Sequence, residues 1–443
     1  MFKSKLNQHI IKLSLPVFFG MLSHTLIQIS DTLMVGKLGS EAIAATGIGA
    51  NAYFTVLSFL MNGSVGIQIL TARRYGEKND TEVGKIGISI IYFSFIAGLI
   101  ISLLGFITAN KTIEFISKDP DVIKDASSYL AYRYLGTVFF FPAFAVRGFL
   151  DGLGYTYLGM LSAFSATFAN IFLNWVLIYG NLGFPALGVD GAAIASALSG
   201  LPALFILLVF LFKKEILYFL KKSHYQFDLS VLKNSIEIGL PSAIDGSLTN
   251  IAFVIFNKFA GLIGIHSVAA SQIILSIISL SFMPGFAFGV AATTILGQAV
   301  GAGKYLLAQA GTFRSAKFSA FLMGIMGFLF IVLGKNIIGL FTQEELVIQE
   351  TYPALVVISL IQIGDAYHMV FASALRSAGL VVWVLIVYVL ISYIVMLPFA
   401  YMLGIYFQFG TVGLWSGISI WLLCLSSIFV WKFNKGDWKK VKI

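Results

Sequence analysis

LPVFFGMLSHTLIQISDTLMVGKLG, Leu15 to Gly39, is the stretch on which the reading of this chain turns. It is about one bilayer's worth of apolar helix, roughly 20 residues being enough to cross the hydrocarbon. Pro16 stands near one end and Asp31 near the other. A carboxylate in hydrocarbon costs about 3 kcal/mol or more unless it faces a wet cavity or a partner, so an intramembrane aspartate marks a functional position. The plainer alternative is an aspartate that caps a helix end among the headgroups, since Gly36 and Gly39 follow closely. An internal repeat, described below, favours the first reading.

Composition agrees with the membrane assignment. Of 443 residues, 58% are hydrophobic and 11% charged, with a mean hydropathy of +0.91. Soluble domains carry about 25% charged residues, so the chain is expected to be an all-α, polytopic integral membrane protein. Its 43 glycines suit closely packed transmembrane helices, whose backbones approach where side chains are small. Cys424 is the single cysteine, which excludes an intramolecular disulfide. The first twenty residues imitate a signal peptide, with Lys3, Lys5 and Lys12 ahead of an apolar run. That run continues through Asp31 into a pattern that recurs later, so it reads as a mature helix.

Apolar runs of about 20 residues between Gly, Pro and charge clusters give twelve spans. They are expected at 11–35, 43–72, 84–109, 124–149, 155–180, 189–213, 231–262, 266–299, 309–333, 346–374, 379–404 and 410–432. The longest polar break, KKEILYFLKKSHYQFDLSVLK at 213–233, falls near the middle. It divides the chain into an N-lobe of helices 1–6 at 1–213, a cytoplasmic basic linker at 214–233, and a C-lobe of helices 7–12 with a tail at 234–443. Basic residues mark the cytoplasmic side of a membrane protein. With the N-terminus inside, 22 of the 29 Lys and Arg residues fall on the inner face, and Lys37, Lys111, Lys118, Lys124 and Lys335 on the outer loops. Arg133 and Lys258 sit inside spans near their outer ends and are expected to snorkel. Both termini and the central break are therefore expected in the cytoplasm. The net charge of +9 is then explained by contact with anionic membrane lipids, and no nucleic acid is called for.

Shifting the sequence by 225 residues lays the first half on the second. Leu15-Pro16 falls on Leu240-Pro241, Gly36 on Gly261, Gly39 on Gly264, Ala44-Ala45 on Ala269-Ala270 and Gly76 on Gly301. Nine identities in 62 ungapped residues would be weak alone, but they include the proline and three glycines, which set backbone geometry. Pro16 and Pro241 are accordingly expected to kink their helices. AVRGFLDGLG at 145–154 recurs as ALRSAG at 374–379, displaced by a further helical turn. Two halves of six helices enter from the same side, so the repeat is parallel, about an axis along the membrane normal. Such repeats are the mark of secondary transporters.

Three acidic residues lie within spans: Asp31, Asp245 and Asp365. Each is expected to face a bundle interior, in a coupling role or as a buried packing residue. Thr249 stands one turn after Asp245 on the same helical face. Asn170 and Asn174 are at i, i+4 in the fifth span, so their amides point the same way, and Ser196 is on the sixth. Amide and hydroxyl oxygens beside a carboxylate suit Na⁺ or a proton relay; without Asp31 they read as interhelical glue. AVGAGKY at 299–305 lacks phosphate-loop spacing, and Tyr305 stands where that loop needs Ser or Thr. His9, His24, His224, His266 and His368 share no metal-ligand spacing, and His24 and His368 read as core residues. Arg147 and Arg376 sit at equivalent cytoplasmic ends, where topology alone explains them. There is no nucleophile–base pattern, so an enzyme is not expected.

ISDTLMVGKLG at 29–39, VRGFLDGLG at 146–154, GLPSAI at 239–244, VAASQI at 268–273 and ILGQAVGAG at 295–303 resemble the multidrug and toxic compound extrusion (MATE) transporters, most closely the NorM-type branch. So do NIFLNWVLIYGNLGFPALGVDGAAIAS at 170–196 and IGDAYHMVFASALRSAG at 363–379, and together the strings span the chain in family order. The resemblance implies twelve transmembrane helices in two pseudo-symmetric six-helix bundles. It implies a monomer in the bacterial inner membrane that exports lipophilic organic cations and drugs in exchange for Na⁺ or H⁺, without a resident cofactor. By position, the family's acidic residues of the first and tenth helices fall on Asp31 and Asp365, its fifth-helix pair on Asn170 and Asn174, and its sixth-helix hydroxyl on Ser196. Asp31 and Asn174 are the implied Na⁺ ligands. One departure matters: Thr249 stands where NorM-type members carry a glutamate. Asp245 is the available substitute, as an accessory site in the C-lobe. Two rivals stand beside this reading, a lipid-linked glycan flippase of the same superfamily and a cation channel lined by Asp31 and Asp365.

Overall fold

The computed structural model describes residues 2–441 and, within them, leaves out the side chains of residues 2–4 and 121. Of the lysines counted above, Lys442 and the side chain of Lys3 thus lie outside the described residues. Every element is helical, and no strand occurs among the described residues. In chain order they are α1 (Phe2–Gly36), α2 (Ser40–Gly76), α3 (Asp80–Ile116), α4 (Pro120–Leu135), α5 (Thr137–Leu153), α6 (Thr156–Tyr179), α7 (Gly188–Leu198), α8 (Gly200–Leu211) and α9 (Lys214–Lys222). There follow α10 (Leu229–Ile263), α11 (Ile265–Gly301), α12 (Tyr305–Ile338), α13 (Glu345–Leu360), α14 (Gln362–Ser377), α15 (Val381–Ile391), α16 (Leu397–Tyr401) and α17 (Gly410–Lys435).

Ten stretches are long and apolar enough to cross a bilayer singly. Two more spans are bent pairs, α4–α5 at 46° and α13–α14 at 53°. Counting each bent pair as one span gives the twelve expected; several run further at their ends, as Ser40–Gly76 and Asp80–Ile116 do, whereas Thr156–Tyr179 and Gly188–Leu211 keep close to the expected bounds. The repeat is built into the helix starts. Ser40 and Ile265, Asp80 and Tyr305, Pro120 and Glu345, Thr137 and Gln362, and Thr156 and Val381 each open a helix and stand 225 residues apart. The two bends fall at Gly136 and Ile361, again one repeat apart. The displaced arginine motif does not shift the helices: Arg147 in α5 and Arg376 in α14 differ by one turn within equivalent elements.

The chain packs as two compact units, Phe19–Ala243 and Met1–Phe18 with Ile244–Ile443. α1 and α10 are thus each divided between units, two residues past Pro16 and Pro241 respectively. Both prolines lie inside helices that run on without a break. The expected boundaries at 213 and 234 both fall within the first of these units. Leu6, Ile10 and Leu13 of α1 are buried in one core with Phe256 of α10, Ile274 of α11 and Trp415 of α17. In the other unit α2 meets the first half of α10 at a glycine contact. A Cβ on Gly66 would lie 2.6 Å from the backbone nitrogen of Gly239 and closer still to the Ser235 carbonyl. The lipid-facing sides stay apolar and exposed, with Leu33, Ile107, Phe168, Phe321 and Ile394 all more than half accessible. That is the pattern expected where the surroundings are hydrocarbon.

The central break is itself ordered. Its short helix α9 buries Ile216 and Leu220. Asp228 closes the segment: its carboxylate takes bonds from the Ser230 hydroxyl at 2.6 Å and backbone N–H at 2.9 Å, and from Lys85 Nζ at 3.2 Å. The Ser230 bonds, with Lys85 second, hold this carboxyl down at about 2, well under the ordinary 3.8. Residues 229–233, expected in the linker, already form the first turn of α10.

Candidate functional site

Asp31 projects from α1 toward α6 and α7. Its Oδ1 accepts from Asn174 Nδ2 at 2.5 Å, and its Oδ2 from the Ser196 hydroxyl at 3.4 Å. Asn174 Nδ2 also donates to Asn170 Oδ1 at 3.2 Å, as i, i+4 neighbours on one helix face can. Asn170 Nδ2 in turn donates to Ser196 Oγ at 3.1 Å, which closes a ring of four side chains. Asn170, Asn174 and Ser196 are buried, whereas Asp31 is half-buried. All the hydrogens of the ring run toward the carboxylate, the arrangement that suits its ionised, acceptor-only form. Asn174 Oδ1 has no hydrogen-bond partner among the described residues. The four expected residues therefore do come together, and with the helix-end cap excluded by this ring, Asp31 is held as part of a built polar site.

The Arg133 guanidinium lies 4.5 Å from the ring centroid of buried Tyr53, and its charge acts on Asp31. A planar guanidinium is weakly hydrated and stacks on aromatic faces, so a buried ring can hold it where an ammonium would seek water.

Asp365 and Asp245 lie in the other unit and have separate partners. Asp365 Oδ1 is 2.9 Å from His368 Nδ1, and His368 Nε2 is 2.5 Å from the Tyr388 hydroxyl. Asp245 Oδ2 accepts from Arg376 Nη2 at 2.5 Å, and its Oδ1 from the Thr249 hydroxyl at 3.5 Å. The Arg376 guanidinium also stands 5.2 Å from the Tyr388 ring centroid. Asp365, His368, Tyr388 and Asp245 are all buried. Arg376 is thus more than a topological anchor, and His368 is a core residue with both ring nitrogens satisfied. A signal was present in the sequence, since 365, 368, 372 and 376 follow one face of a helix of 3.6-residue period.

No group of three or more His, Cys, Asp or Glu side chains able to hold a metal ion occurs among the described residues. A Na⁺ at Asp31 would instead rest on the carboxylate and neutral oxygens. The available ones are Ser196 Oγ, Asn170 Oδ1 and the unpartnered Asn174 Oδ1, the oxygen donors that a hard cation takes.

Comparison with known proteins gives one consistent answer. The probable multidrug resistance protein NorM of Oceanobacillus iheyensis is 28% identical over 436 residues, 95% of this chain and 94% of that protein. The protein of the same description from Thermotoga maritima is 26% identical over 439 residues, 98% of this chain and 94% of that one. Among solved structures, the outward-facing conformation of a multidrug resistance MATE family transporter of the MOP superfamily superposes with a TM-score of 0.91 at 22% identity. That match covers 99% of this chain and 97% of the other, and so shares the fold. The family model MatE matches twice, at residues 16–176 and 241–402. The two matches open at Pro16 and Pro241, the residues that begin the internal repeat, and together take in most of the sequence: the chain belongs to the MatE family, the multidrug and toxic compound extrusion transporters.

Proposed function

We propose that this transporter exports lipophilic organic cations across the bacterial plasma membrane in exchange for H⁺ or Na⁺, with Asp31 as the coupling carboxylate and both termini in the cytoplasm. The observation that carries the reading is the ring around Asp31, a half-buried carboxylate whose donors are all neutral. In a site of low dielectric, a lone negative charge takes up a proton or recruits a cation. Neutral donors hold the carboxylate in place, and Arg133 acts on it by its charge without a hydrogen bond among those that close the ring, which leaves room for an exchangeable cation at the oxygens. The relatives' descriptions as multidrug resistance proteins support drugs as the cargo.

The geometry supports the following exchange. With Asp31 ionised, the Asn174 amide and Ser196 hydroxyl point at it and an organic cation neutralises it, helped by aromatic faces. When H⁺ arrives, the Ser196 hydroxyl turns and accepts from the new carboxyl O–H, and the cation loses its counter-charge. When Na⁺ arrives, it takes the Asp31, Ser196 and Asn170 oxygens, with Asn174 Oδ1 as a further ligand. Either ion and the drug exclude each other, which is what antiport requires. Alternating exposure of the site to the two sides of the membrane then completes the cycle.

The test is ethidium efflux in everted membrane vesicles under a Na⁺ gradient and a pH gradient imposed separately. Efflux is expected under at least one of them and under neither when ionophores collapse both. Efflux that persists without any ion gradient, or single-channel conductance of the purified protein in planar bilayers, would refute the proposal.

A further inference from the structure

Every arginine of the chain but one has a polar partner for its guanidinium. Arg73 and Arg74 pair with Glu77, Arg147 with Asp151 and Arg376 with Asp245, and Arg314 donates to Asn7 Oδ1. Arg133 of α4 has none among the described residues. It enters no ion pair, and its Nε is buried without a hydrogen-bond partner. What holds it is the Tyr53 ring, whose centroid lies 4.5 Å from the guanidinium carbon. A ring face attracts a cation but gives its in-plane N–H groups no acceptor. The Tyr53 hydroxyl is engaged with Thr137 Oγ1 at 3.4 Å. The donor fork of a half-buried guanidinium is thus left without an acceptor from the chain.

The charge is as incompletely met as the hydrogen bonds. Asp31 is the carboxylate on which the Arg133 charge acts, although the ring that holds Asp31 is closed by neutral donors alone. On the neighbouring helices α5 and α7, Asp151 is paired with Arg147, and Asp190 accepts from the Ser128 hydroxyl. With Asp31 ionised and His24 neutral, Arg133 and Asp31 offset each other at a distance. Once a cation or a proton neutralises Asp31, the guanidinium loses that offset, and a buried charge left alone is costly. The charge of Arg133 also acts on His24, so an imidazolium there would deepen the deficit.

We propose that Arg133 is the anchor of an anion site in this unit, which takes up chloride whenever a cation or a proton neutralises Asp31. The inference rests on the cation exchange proposed above, with Asp31 as its carboxylate. Water can satisfy the N–H groups of a guanidinium but brings no charge, whereas a halide supplies both the acceptor and the counter-charge. The sign of the coupling follows from electrostatics. Ionised Asp31 repels an anion near Arg133, and a cation bound at Asp31 removes that repulsion. Cation and anion therefore bind cooperatively, and by linkage each raises the affinity of the other by the same factor.

The test uses the purified full-length protein in N-methylglucamine salts at alkaline pH, which keep Na⁺ and H⁺ from Asp31. Ethidium binding is read by fluorescence polarisation in chloride and in gluconate at equal ionic strength, and chloride binding with the radioactive ion. Chloride is expected to tighten ethidium binding by about fivefold or more, and saturating ethidium to tighten chloride binding by the same factor. Asp31→Asn should bind chloride tightly without ethidium. Arg133→Gln, which keeps N–H donors but no charge, should bind ethidium equally in both salts and retain no chloride; its ethidium binding also reports that it is folded. Arg133→Lys, which keeps the charge, should keep the chloride dependence. Equal ethidium affinity of the parent in the two salts, or a chloride effect that survives in Arg133→Gln, overturns the anion site and leaves the role of Asp31 untouched. Ion-coupled efflux at the parental level in Asp31→Asn, with chloride binding still dependent on Arg133, overturns the assignment to Asp31 and upholds the anion site.

Discussion

Replacing Asp31 by Asn removes one charge and almost no volume, so the transport cycle should lose its coupling while the fold survives. The amide keeps an oxygen that can accept from Asn174 Nδ2, now 2.5 Å from the carboxylate, and an NH₂ that can donate to Ser196 Oγ at 3.4 Å. What changes is the strength of these bonds. A hydrogen bond to a charged group contributes about 1.5–3 kcal/mol and one between neutral groups about 0.5–1.5. The variant therefore loses roughly 1–2 kcal/mol at the ring, too little to keep it from the membrane. The functional loss is larger. In a one-for-one exchange of monovalent cations no net charge crosses the membrane, so a tenfold gradient of the coupling ion, about 1.4 kcal/mol, sustains an opposing drug gradient of about tenfold. An Asn at this position carries no exchangeable proton and offers Na⁺ no charge, so that gradient should fall toward unity in everted vesicles loaded with ethidium. Expression and retention on size exclusion should match the parent. Extrusion by Asp31→Asn at the parental amplitude, under the same imposed gradient, would refute the coupling role.

Further consequences follow from the other polar contacts and from the tightest helix crossing. Arg376→Met leaves buried Asp245 without its cation and should cost about 3–5 kcal/mol; Asp245→Leu in the same chain should restore most of it, as read by recovery on size exclusion after heating. A double variant no more stable than Arg376→Met would show that the pair is not energetically coupled. Gly66→Leu drives a side chain into the backbone of Gly239 and should lower the melting temperature by about 1–3 °C, at roughly 1–3 kcal/mol for overpacking; unchanged melting would mean that this crossing is loose. The Asp228 carboxyl is held at about 2 against an ordinary 3.8. A depressed folded value means that its contribution is present above about 4 and is lost as pH falls toward 2. Protection of Lys213, Lys214, Lys221 and Lys222 from trypsin should therefore be weaker in Asp228→Asn at neutral pH, and pepsin cleavage of the parent segment should rise between pH 4 and 2. Equal trypsin sensitivity in variant and parent would remove Asp228 from any role in fastening the segment.

What could be read from the sequence and what could not divide along one physical line. The offset of 225 residues rests on prolines and glycines, which constrain the backbone locally, and five helix starts and both bends obey it. The same offset carries Asp31 onto Phe256, brings Asp245 back onto Gly20 and Asp365 back onto Phe140. The repeat thus transmits backbone geometry and none of the intramembrane charge. Asn170 and Asn174 were legible because a helix fixes the direction of residues four apart, and their hydrogen bond is the result. The Asp245–Arg376 pair was not, because it joins positions 131 residues apart through a long side chain whose path depends on packing. His368 was legible as core for a different reason: an imidazole on an apolar helix must find its partners inside, and it is buried with an oxygen at each ring nitrogen. The two units consequently solve the same electrostatic problem differently. One surrounds a single carboxylate with neutral donors within reach of the Arg133 charge; the other pairs one carboxylate with a guanidinium and a second with an imidazole. Since a buried charge must be compensated, each unit meets that demand with its own residues, and the repeat need supply only the scaffold that positions them.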